Sequence, residues 1–308
     1  MEESARYLQK IVEKSSYLGA GDQGKRAIEY CDGDCVLFVD GLRFDVGKRL
    51  VESLQAEGFD VSEELVWAAL PSVTATGKAA VSPVRDKIQG RENTPDFEPV
   101  VAQTGQSLKG GQPLKKLLTD AGWSIIARTA SGDGQGMAWC EVGDIDHEGH
   151  ERGWKLAKHV GGLVQEIRER IAELLAAGWK RVRVVTDHGW LVLPGGLPKI
   201  ELPSVLTENK WGRGASLTSG SSTKERLYPW FWDPHQFFAL ADGVSCFKKG
   251  EEYAHGGLSL QECLLSHLTV THGTSMQTKT FVRFRDVIWK NQRCSVTMEG
   301  EYKDLFLD

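Results

Sequence analysis

The feature that most constrains this chain is a β-branched run that ends abruptly in polar residues. Val184, Val185 and Thr186 are followed by Asp187, His188 and a glycine. Such a run is typical of a strand buried on both faces, and the carboxyl end of such a strand faces the ligand-binding cleft of an open α/β sheet. Carboxylate oxygen and imidazole nitrogen both bind divalent cations such as zinc. The motif therefore predicts either a metal-ligand pair or a hydrogen-bonded strand end.

The same pattern of a strand followed by acidic residues occurs twice earlier in the chain. The apolar run at residues 35–39 ends in Asp40, and a strand at 137–142 leads into a segment where five of seven residues are Asp, Glu or His. Helical patterns follow the first strand and also span residues 154–177. This alternation predicts an α/β fold with a doubly wound, mostly parallel sheet flanked by helices on both faces. Asp40, Asp146 and Asp187 should then meet beyond the carboxyl ends of the strands.

Hydroxyl and histidine residues in two further segments are candidates for the same site. A predicted strand at 64–70 leads into a turn with Ser72, Thr74 and Thr76 before a helix, where a hydroxyl group can be a nucleophile or a simple helix cap. His255 precedes two glycines and another predicted helix, and is either a ligand or a structural histidine. We interpret residues 84–112 and 192–225 as long loops, residues 228–232 as aromatic packing, and residues 244–247 as a strand.

Composition limits the class of protein. The formal net charge of −5 argues against attraction of the whole protein to nucleic acid, although it leaves a local basic groove open. No apolar run approaches the ~20 residues that span a bilayer, so we expect no membrane partner. The amino terminus lacks the apolar core of a signal peptide. Six scattered cysteines indicate a reducing compartment, and the expected location is cytoplasmic.

Changes in pattern along the chain predict three parts. Residues 1–30 are a leading helical segment, and residues 31–275 carry every candidate site residue. From about residue 276 the pattern changes to the alternation of a β-rich element, which continues to residue 308. We expect this last part to be the start of a β-rich C-terminal element and the chain to be a fragment of a longer protein.

The candidate residues together have the composition of a two-metal hydrolytic site. They are Asp40, Thr74, Asp146, His150, Asp187, His188 and His255. Two cations about 4 Å apart can hold the attacking and leaving oxygens of an in-line displacement. A metal can also activate a hydroxyl nucleophile without a histidine base. Phosphoryl groups suit such a site because they carry several anionic oxygens.

The order of these motifs resembles the alkaline phosphatase superfamily, and the stretch 253–262 resembles the PglZ domain of bacterial phage-exclusion (BREX) defence proteins. The resemblance covers about residues 35–270 and implies an alkaline-phosphatase-like PglZ catalytic domain. It implies that Asp146, His150 and His255 hold one divalent cation. Asp40, Asp187 and His188 would hold the other, together with the hydroxyl of Thr74, the implied nucleophile. Zinc is the usual ion in such enzymes, with manganese as the alternative.

The sequence departs from the related phosphodiesterases after Thr74, where a Phe-Pro-Asn run is replaced by Ala75, Thr76, Gly77 and Lys78. Lys78 and Asn93 are candidates to replace the missing oxyanion ligand. The arginine that clamps phosphate in monoesterases also has no certain counterpart, and Arg43 and Arg213 are the candidates. Fewer recognised positive charges favour phosphodiesters over dianionic monoesters. Ser72 and Thr76 are the alternative nucleophiles.

These features predict a metal-dependent phosphodiesterase or phosphatase. Its expected substrate is a phosphate ester, with nucleic acid or a nucleotide diester favoured, and the family resemblance implies other defence-system proteins as partners. The alternative is a catalytically weak or inactive scaffold or regulatory module that keeps its metals for stability. A third class is a phosphomutase-like transferase, which would pass the phosphoryl group to an acceptor other than water.

Overall fold

The structure is a computed structural model that describes residues 1–20, 28–91, 96–202, 206–208, 212–217, 226–273, 283–290 and 293–299. Helices α1 to α7 span Glu2–Lys14, Phe44–Ala56, Thr74–Ala80, Gln112–Asp120, Ile145–Arg152, Val160–Ala176 and Leu260–Cys263. Two 3₁₀ turns span Arg85–Lys87 and Gly153–Lys158. Strands β1 to β16 span Asp34–Val39, Phe59–Trp67, Ile88–Gln89, Val100–Val101, Trp123–Ile126, Met137–Val142, Arg181–Val185, Leu191–Val192, Leu206–Glu208, Gly214–Leu217, Leu227–Trp230, Asp233–Leu240, Tyr253–Ala254, Leu264–His272, Arg283–Lys290 and Arg293–Glu299.

Six strands form the central sheet in the order β2-β14-β7-β1-β6-β5. Strand β1 pairs in parallel with β6 and with β7, and β5 pairs in parallel with β6. Strand β14 is antiparallel to both of its neighbours, β2 and β7. The predicted α/β fold with a mostly parallel, doubly wound sheet is confirmed.

Helices cover both faces of this sheet, which explains the continuous apolar run in β1. Leu37 and Val39 belong to the core on one face, with apolar residues of α2 and α6. Val36 and Phe38 belong to the core on the other face, with residues of α3 and α4. All six residues of β1 are buried. A strand without a solvent-facing side needs apolar residues at nearly every position, so it shows no alternation.

The first helix contacts loops that lie far away in the sequence. Gln9 is buried, and its side-chain amide donates to the carbonyl oxygens of Gly243 and Leu258 and accepts from the Gly243 amide. The hydroxyl of Tyr17, just after α1, donates to the carbonyl of Ala68. Buried polar groups require such partners, so α1 is integral to the packing around these loops.

The structure corrects the type or the bounds of four predicted elements. Residues 244–247 are a buried loop rather than a strand, in which the amides of Cys246 and Phe247 donate to the carbonyls of Pro198 and Gly212. The strand expected at 64–70 is β2, Phe59–Trp67. Helix α6 begins only at residue 160, after a 3₁₀ turn. The helix predicted after His255 is the four-residue α7, which leads directly into β14.

The described chain divides into two compact units, Met1–His272 and Gly273–Asp308. Besides the central sheet, the first unit contains a four-stranded sheet in the order β11-β12-β10-β9 and two small two-stranded sheets. In the second unit, β15 and β16 pair as an antiparallel hairpin. None of the helices in the described residues is long and apolar enough to cross a membrane.

Candidate metal centre

The seven predicted site residues lie at one edge of the central sheet. Asp40 follows β1, while Asp187 and His188 follow β7. Helix α5, just after β6, carries Asp146 and His150. The other two are Thr74, the first residue of α3, and His255, which follows β13. The carboxyl ends of the parallel strands thus bring together ligands that are far apart in sequence, as expected for an open α/β sheet.

One cluster of candidate ligands consists of Asp40, Asp187 and His188. Each offers a ligand atom, and these atoms lie within 4.8 Å of one another. The Thr74 hydroxyl borders the cluster, because its Oγ1 is 3.4 Å from Asp40 Oδ1 and 3.1 Å from His188 Nε2. The arrangement places the Thr74 hydroxyl beside a set of oxygen and nitrogen atoms suited to a divalent cation.

The second cluster consists of Asp146, His188 and His255, again with ligand atoms within 4.8 Å of one another. His150 lies beside it, with Nε2 3.1 Å from His255 Nε2 and 3.5 Å from Asp146 Oδ2. The rings of His188 and His255 are stacked, with centroids 4.0 Å apart and an interplanar angle of 6°. His188 therefore belongs to both clusters, whereas the sequence-based division assigned it only to the site with Asp40 and Asp187.

Backbone carbonyls orient both buried imidazoles. His188 Nδ1 is 3.0 Å from the carbonyl oxygen of Gly189, and His255 Nδ1 is 3.2 Å from that of Ser72. A carbonyl oxygen can only accept, so Nδ1 is the protonated nitrogen in each ring. Nε2 is therefore the atom that each ring offers to a cation, which is the usual arrangement of metal-binding histidines.

The buried charges of the site are poorly compensated by the protein itself. Burial, followed by the nearby Asp187 and Asp146, raises the pKa of Asp40 well above its usual range. Burial lowers the pKa of His188, but Asp187, Asp146 and Asp40 outweigh it and raise that pKa to about 9. Burial and the neighbouring His188 lower the pKa of His255 to about 3. Clustered carboxylates with a neutral imidazole are the electrostatic setting that a divalent cation satisfies.

Asp187 provides a specific test of whether a cation fits. Its side chain is fully buried, and Oδ1 accepts from the amides of Gly41 and His188. Its Oδ2 is also buried but accepts no hydrogen bond from any described residue. A buried carboxylate oxygen normally has a partner, and a bound cation would supply one here. The residues of both clusters therefore fit divalent metal ions.

Tyr253 is a part of the site that the sequence analysis did not assign. Its hydroxyl donates to Asp146 Oδ1 over 2.9 Å. Its ring occupies the space beside Gly149, where a Cβ atom would lie only 2.2 Å from the ring. Tyr253 thus fixes one oxygen of a candidate ligand, the role that outer partners have at metal sites. Its position two residues before His255 is the sequence signal that points to it.

The alternative nucleophiles, Ser72 and Thr76, have other roles. The Ser72 hydroxyl is buried and donates to the carbonyl of Gly257 over 2.7 Å. The Thr76 hydroxyl is buried too, donating to the carbonyl of Phe97 and accepting from the indole of Trp230. Of the three predicted hydroxyls, Thr74 is the one beside the candidate ligands.

Two predicted substrate-binding residues lie near the site but have protein partners. Lys78, one turn after Thr74, places Nζ 3.0 Å from Glu141 Oε2. Arg43 pairs with Asp45 at 2.5 Å, and its guanidinium lies 3.8 Å from the ring centroid of Trp190. Lys78 borders the same open groove as Asp40 and remains a candidate for substrate binding.

The prediction that Arg213 contacts substrate is wrong. Its side chain is fully buried, and its guanidinium donates twice to Glu262, at 3.0 and 2.8 Å. Glu262 also accepts from the Gly257 amide, so this pair supports the turn that follows His255. Asn93, the other candidate, lies outside the described residues.

Comparisons with known proteins identify no family. No protein-family model matches the chain, and no curated protein matches it. Among solved structures, it is similar to an inactive variant of murine ectonucleotide pyrophosphatase/phosphodiesterase 5 in complex with AMP. That likeness has a TM-score of 0.47 and 11% identity, and covers 77% of this chain and 87% of the other. It is also similar to phosphonoacetate hydrolase from Sinorhizobium meliloti in complex with phosphonoformate. That likeness has a TM-score of 0.45 and 10% identity, and covers 76% of this chain and 89% of the other. Likeness at this level carries no argument about activity, and the resemblance to PglZ domains stays a prediction.

Proposed function

We propose that this protein is a metal-dependent phosphoester hydrolase in which Thr74 is the nucleophile. The observation that carries the proposal is the position of the Thr74 hydroxyl, 3.4 Å from Asp40 Oδ1 and 3.1 Å from His188 Nε2. The hydroxyl borders a cluster of ligands that shares His188 with a second cluster. Two adjacent cation sites and a hydroxyl are the components of a two-metal displacement at phosphorus.

Six of the candidate residues would bind the cations, and Thr74 would attack phosphorus. Asp40, Asp187 and His188 would hold one cation and Asp146, His255 and His150 the other, with His188 within reach of both. When bound, the cations would favour the ionised form of the nucleophile and neutralise charge on the phosphoryl oxygens. Thr74 Oγ1 forms a bond to phosphorus as the bond to the leaving oxygen breaks. Thr74 loses its proton, and the leaving oxygen gains one and departs as an alcohol. Water then cleaves the covalent intermediate and restores the hydroxyl. The intermediate is a nucleotidyl-threonine when the substrate is a nucleotide diester and a phosphothreonine when it is a monoester.

We also propose a substrate class, a metal and a biological role, which the sequence resemblance supports. Phosphodiesters, including nucleotide or nucleic acid substrates, are the favoured class, since no free arginine clamp for a dianionic monoester lies among Arg43 and Arg213. Zinc is the preferred ion and manganese the alternative. The PglZ resemblance favours a role in bacterial phage defence, in the cytoplasm, alongside other defence proteins.

The test is hydrolysis of bis(p-nitrophenyl) phosphate with zinc or manganese by the wild type and by Thr74→Ala and Thr74→Ser. Loss of the nucleophile should lower kcat by at least about 10³-fold. The serine variant keeps the hydroxyl and should retain measurable turnover. Metal content, measured by mass spectrometry, should be the same in all three proteins.

Three results would contradict this assignment in different ways. Full activity in Thr74→Ala would remove the threonine from the mechanism. A wild type that binds both cations but turns over no ester would favour the scaffold alternative. Transfer of the phosphoryl group to an added alcohol instead of water would indicate a transferase.

A further inference from the structure

An open groove of about 480 Å³ begins at Asp40 and leads away from the metal centre. It crosses the carboxyl ends of three adjacent strands, β1, β6 and β5, and is bordered by α3 and α4. The carboxyl edge of such a sheet is where open α/β proteins bind ligands. Because Asp40 is shared, a molecule bound at the metal centre has direct access to this groove.

The charged side chains that line the groove are three cations, Lys78, Lys115 and Arg128, and three carboxylates, Asp40, Glu141 and Asp144. Lys78 from α3 and Lys115 from α4 both approach the same oxygen of Glu141, at 3.0 and 3.6 Å. The other oxygen of Glu141 accepts from the indole of Trp139. Two ammonium groups therefore share one carboxylate. At the far end, Arg128 is matched one to one by Asp144.

Two buried aromatic rings support Lys78 in the groove. Lys78 lies over the ring of Phe38 at 4.6 Å, and Phe38 stacks on Trp139 with centroids 5.7 Å apart. Both rings are buried, so they form a rigid floor beneath the lysine. Ile125, which is 36% exposed, adds an apolar wall. Both lysines depend on Glu141 for an ion pair, because Asp40 belongs to the candidate metal cluster and Asp144 pairs with Arg128. A groove with a fixed floor and two ammonium groups on one carboxylate is suited to bind an anion.

We infer that Lys78 and Lys115 form an anion subsite that binds a second phosphate of the substrate, beyond the phosphate that is cleaved. This inference rests on the proposed function and narrows its substrate class to phosphoesters that carry an additional phosphoryl group. Lys78 is four residues after Thr74, which corresponds to about 6 Å along a helix axis. That separation suits a phosphate a few bonds from the scissile phosphorus. Glu141 is a positioning residue that holds both ammonium groups until the anion binds.

Lys115→Ala is the informative variant, because Lys115 lies outside the catalytic machinery and its loss leaves Glu141 paired with Lys78. Lys116→Ala is the matched control, since Lys116 is the next residue of α4 and pairs with Asp120 on the exposed side. The substrates are the p-nitrophenyl ester of thymidine 5′-phosphate with and without a 3′-phosphate. They share one leaving group and differ only in the additional phosphate. Thymidine triphosphate tests an anhydride-linked phosphate.

The wild type should prefer the 3′-phosphorylated ester, and Lys115→Ala should reduce that preference about tenfold in kcat/KM, as expected for loss of a charge-assisted hydrogen bond. Activity on the plain ester should be unchanged, and Lys116→Ala should resemble the wild type. Equal effects of Lys115→Ala on both esters, or none on either, would overturn the subsite while leaving the proposed function intact.

A binding measurement keeps the inference testable if the wild type cleaves neither ester. Calorimetric titration of the metal-loaded protein with thymidine 3′,5′-bisphosphate and with thymidine 5′-phosphate needs no turnover. Lys115→Ala should weaken binding of the bisphosphate about tenfold relative to the monophosphate. Identical affinities of Lys115→Ala and wild type for the bisphosphate would exclude the subsite. If the bisphosphate binds as expected but neither ester is cleaved, the result contradicts the proposed function and leaves the anion subsite intact.

Discussion

At the scale of single residues, the two candidate cation sites are not independent, because His188 belongs to both clusters of candidate ligands. His188 is fully buried, lies within 4.8 Å of both sets of partner ligands and stacks on His255. Its Nδ1 is committed to the carbonyl of Gly189, so only Nε2 remains to coordinate. One nitrogen close to two candidate sites makes the loading of one site depend on the other.

This sharing leads to a prediction about metal stoichiometry. His188→Ala should weaken binding at both sites, whereas Asp40→Asn and Asp146→Asn should each weaken one. The loss for a direct ligand should exceed the roughly 10–100-fold that outer partners contribute. Zinc titration of the metal-stripped proteins, with metal counted by mass spectrometry, gives the number of sites. Loss of a single cation in His188→Ala would show that its proximity to the second cluster has no effect on binding.

The convergence of the seven candidate residues could be predicted from sequence, because six of them follow a strand or lie in the first turn of a helix, and strand ends converge at one sheet edge. His150 lies in the last turn of α5, one helical turn after Asp146. The sharing of His188 could not be predicted, since spacing along a chain does not give the direction of an imidazole nitrogen. Lys115 and Glu141 were also missed. Both lie in ordinary helix and strand patterns, and only the neighbouring strands show that they face one groove.

At the scale of elements, the contact between α3 and the loop after β7 fixes Thr74, the proposed nucleophile, relative to the candidate metal ligands. A Cβ atom on Gly77 would lie 2.7 Å from Asp187 Cβ and 2.8 Å from the Asp187 carbonyl oxygen. Because the obstacle is backbone, it has little freedom to shift. Gly77 therefore allows α3, with Thr74 at its start, to approach the metal centre closely.

Gly77→Ala should consequently be harmful although alanine is the better helix former. We expect a loss of about 1–3 kcal/mol in the free energy of unfolding from overpacking. Displacement of Thr74 by ~1 Å should cost on the order of 10²-fold in kcat. Gly162→Ala in α6 is the matched control, because a Cβ there has no neighbour within 4 Å, and it should stabilise by up to ~1 kcal/mol. Urea unfolding and ester hydrolysis measure the two effects, and equal behaviour of the two variants would contradict the packing argument.

Whether a strand could be predicted from the sequence depended on how its residues are buried in the fold. Strands β1 and β6 were identified because burial on both faces produces runs that are mostly apolar. Strand β7 was identified from the β-branched residues at its carboxyl end, although Arg181 and Arg183 interrupt its first half. Strand β14 was missed, since it mixes polar and apolar residues and its identity depends on pairing with β2 and β7. The apolar residues 244–247 were mistaken for a strand, because a loop buried by side-chain packing has the same composition.

At the scale of the whole molecule, a buried ion pair links the four-stranded sheet to the turn that follows His255 in the candidate metal centre. Arg213, next to β10, donates to Glu262 and to the carbonyls of Gly243 and Ser245. Glu262 in turn accepts from Ser259 and Gly257, in the turn after His255. The pair is fully buried, so neither charge has water as an alternative partner.

Arg213→Ala should therefore destabilise the protein by about 3–5 kcal/mol, the cost of leaving one charge of a buried pair alone. Arg226→Ala, which breaks the more exposed pair with Glu13, should cost about 0–1 kcal/mol. Urea denaturation midpoints compare the two variants. Similar midpoints would mean that Glu262 is satisfied by Ser259 and Gly257 without the arginine.

The placement of β14 also has a consequence for how the chain reaches its folded state. This strand is the last of the first unit, yet it pairs on one side with β2, from near the start, and on the other with β7. During synthesis, β2 has no sheet partner until almost the entire unit has left the ribosome. Pairings of such long range make folding slow, and unpaired edges invite association with other chains. We therefore expect the nascent chain to need protection from aggregation until β14 inserts and completes the sheet.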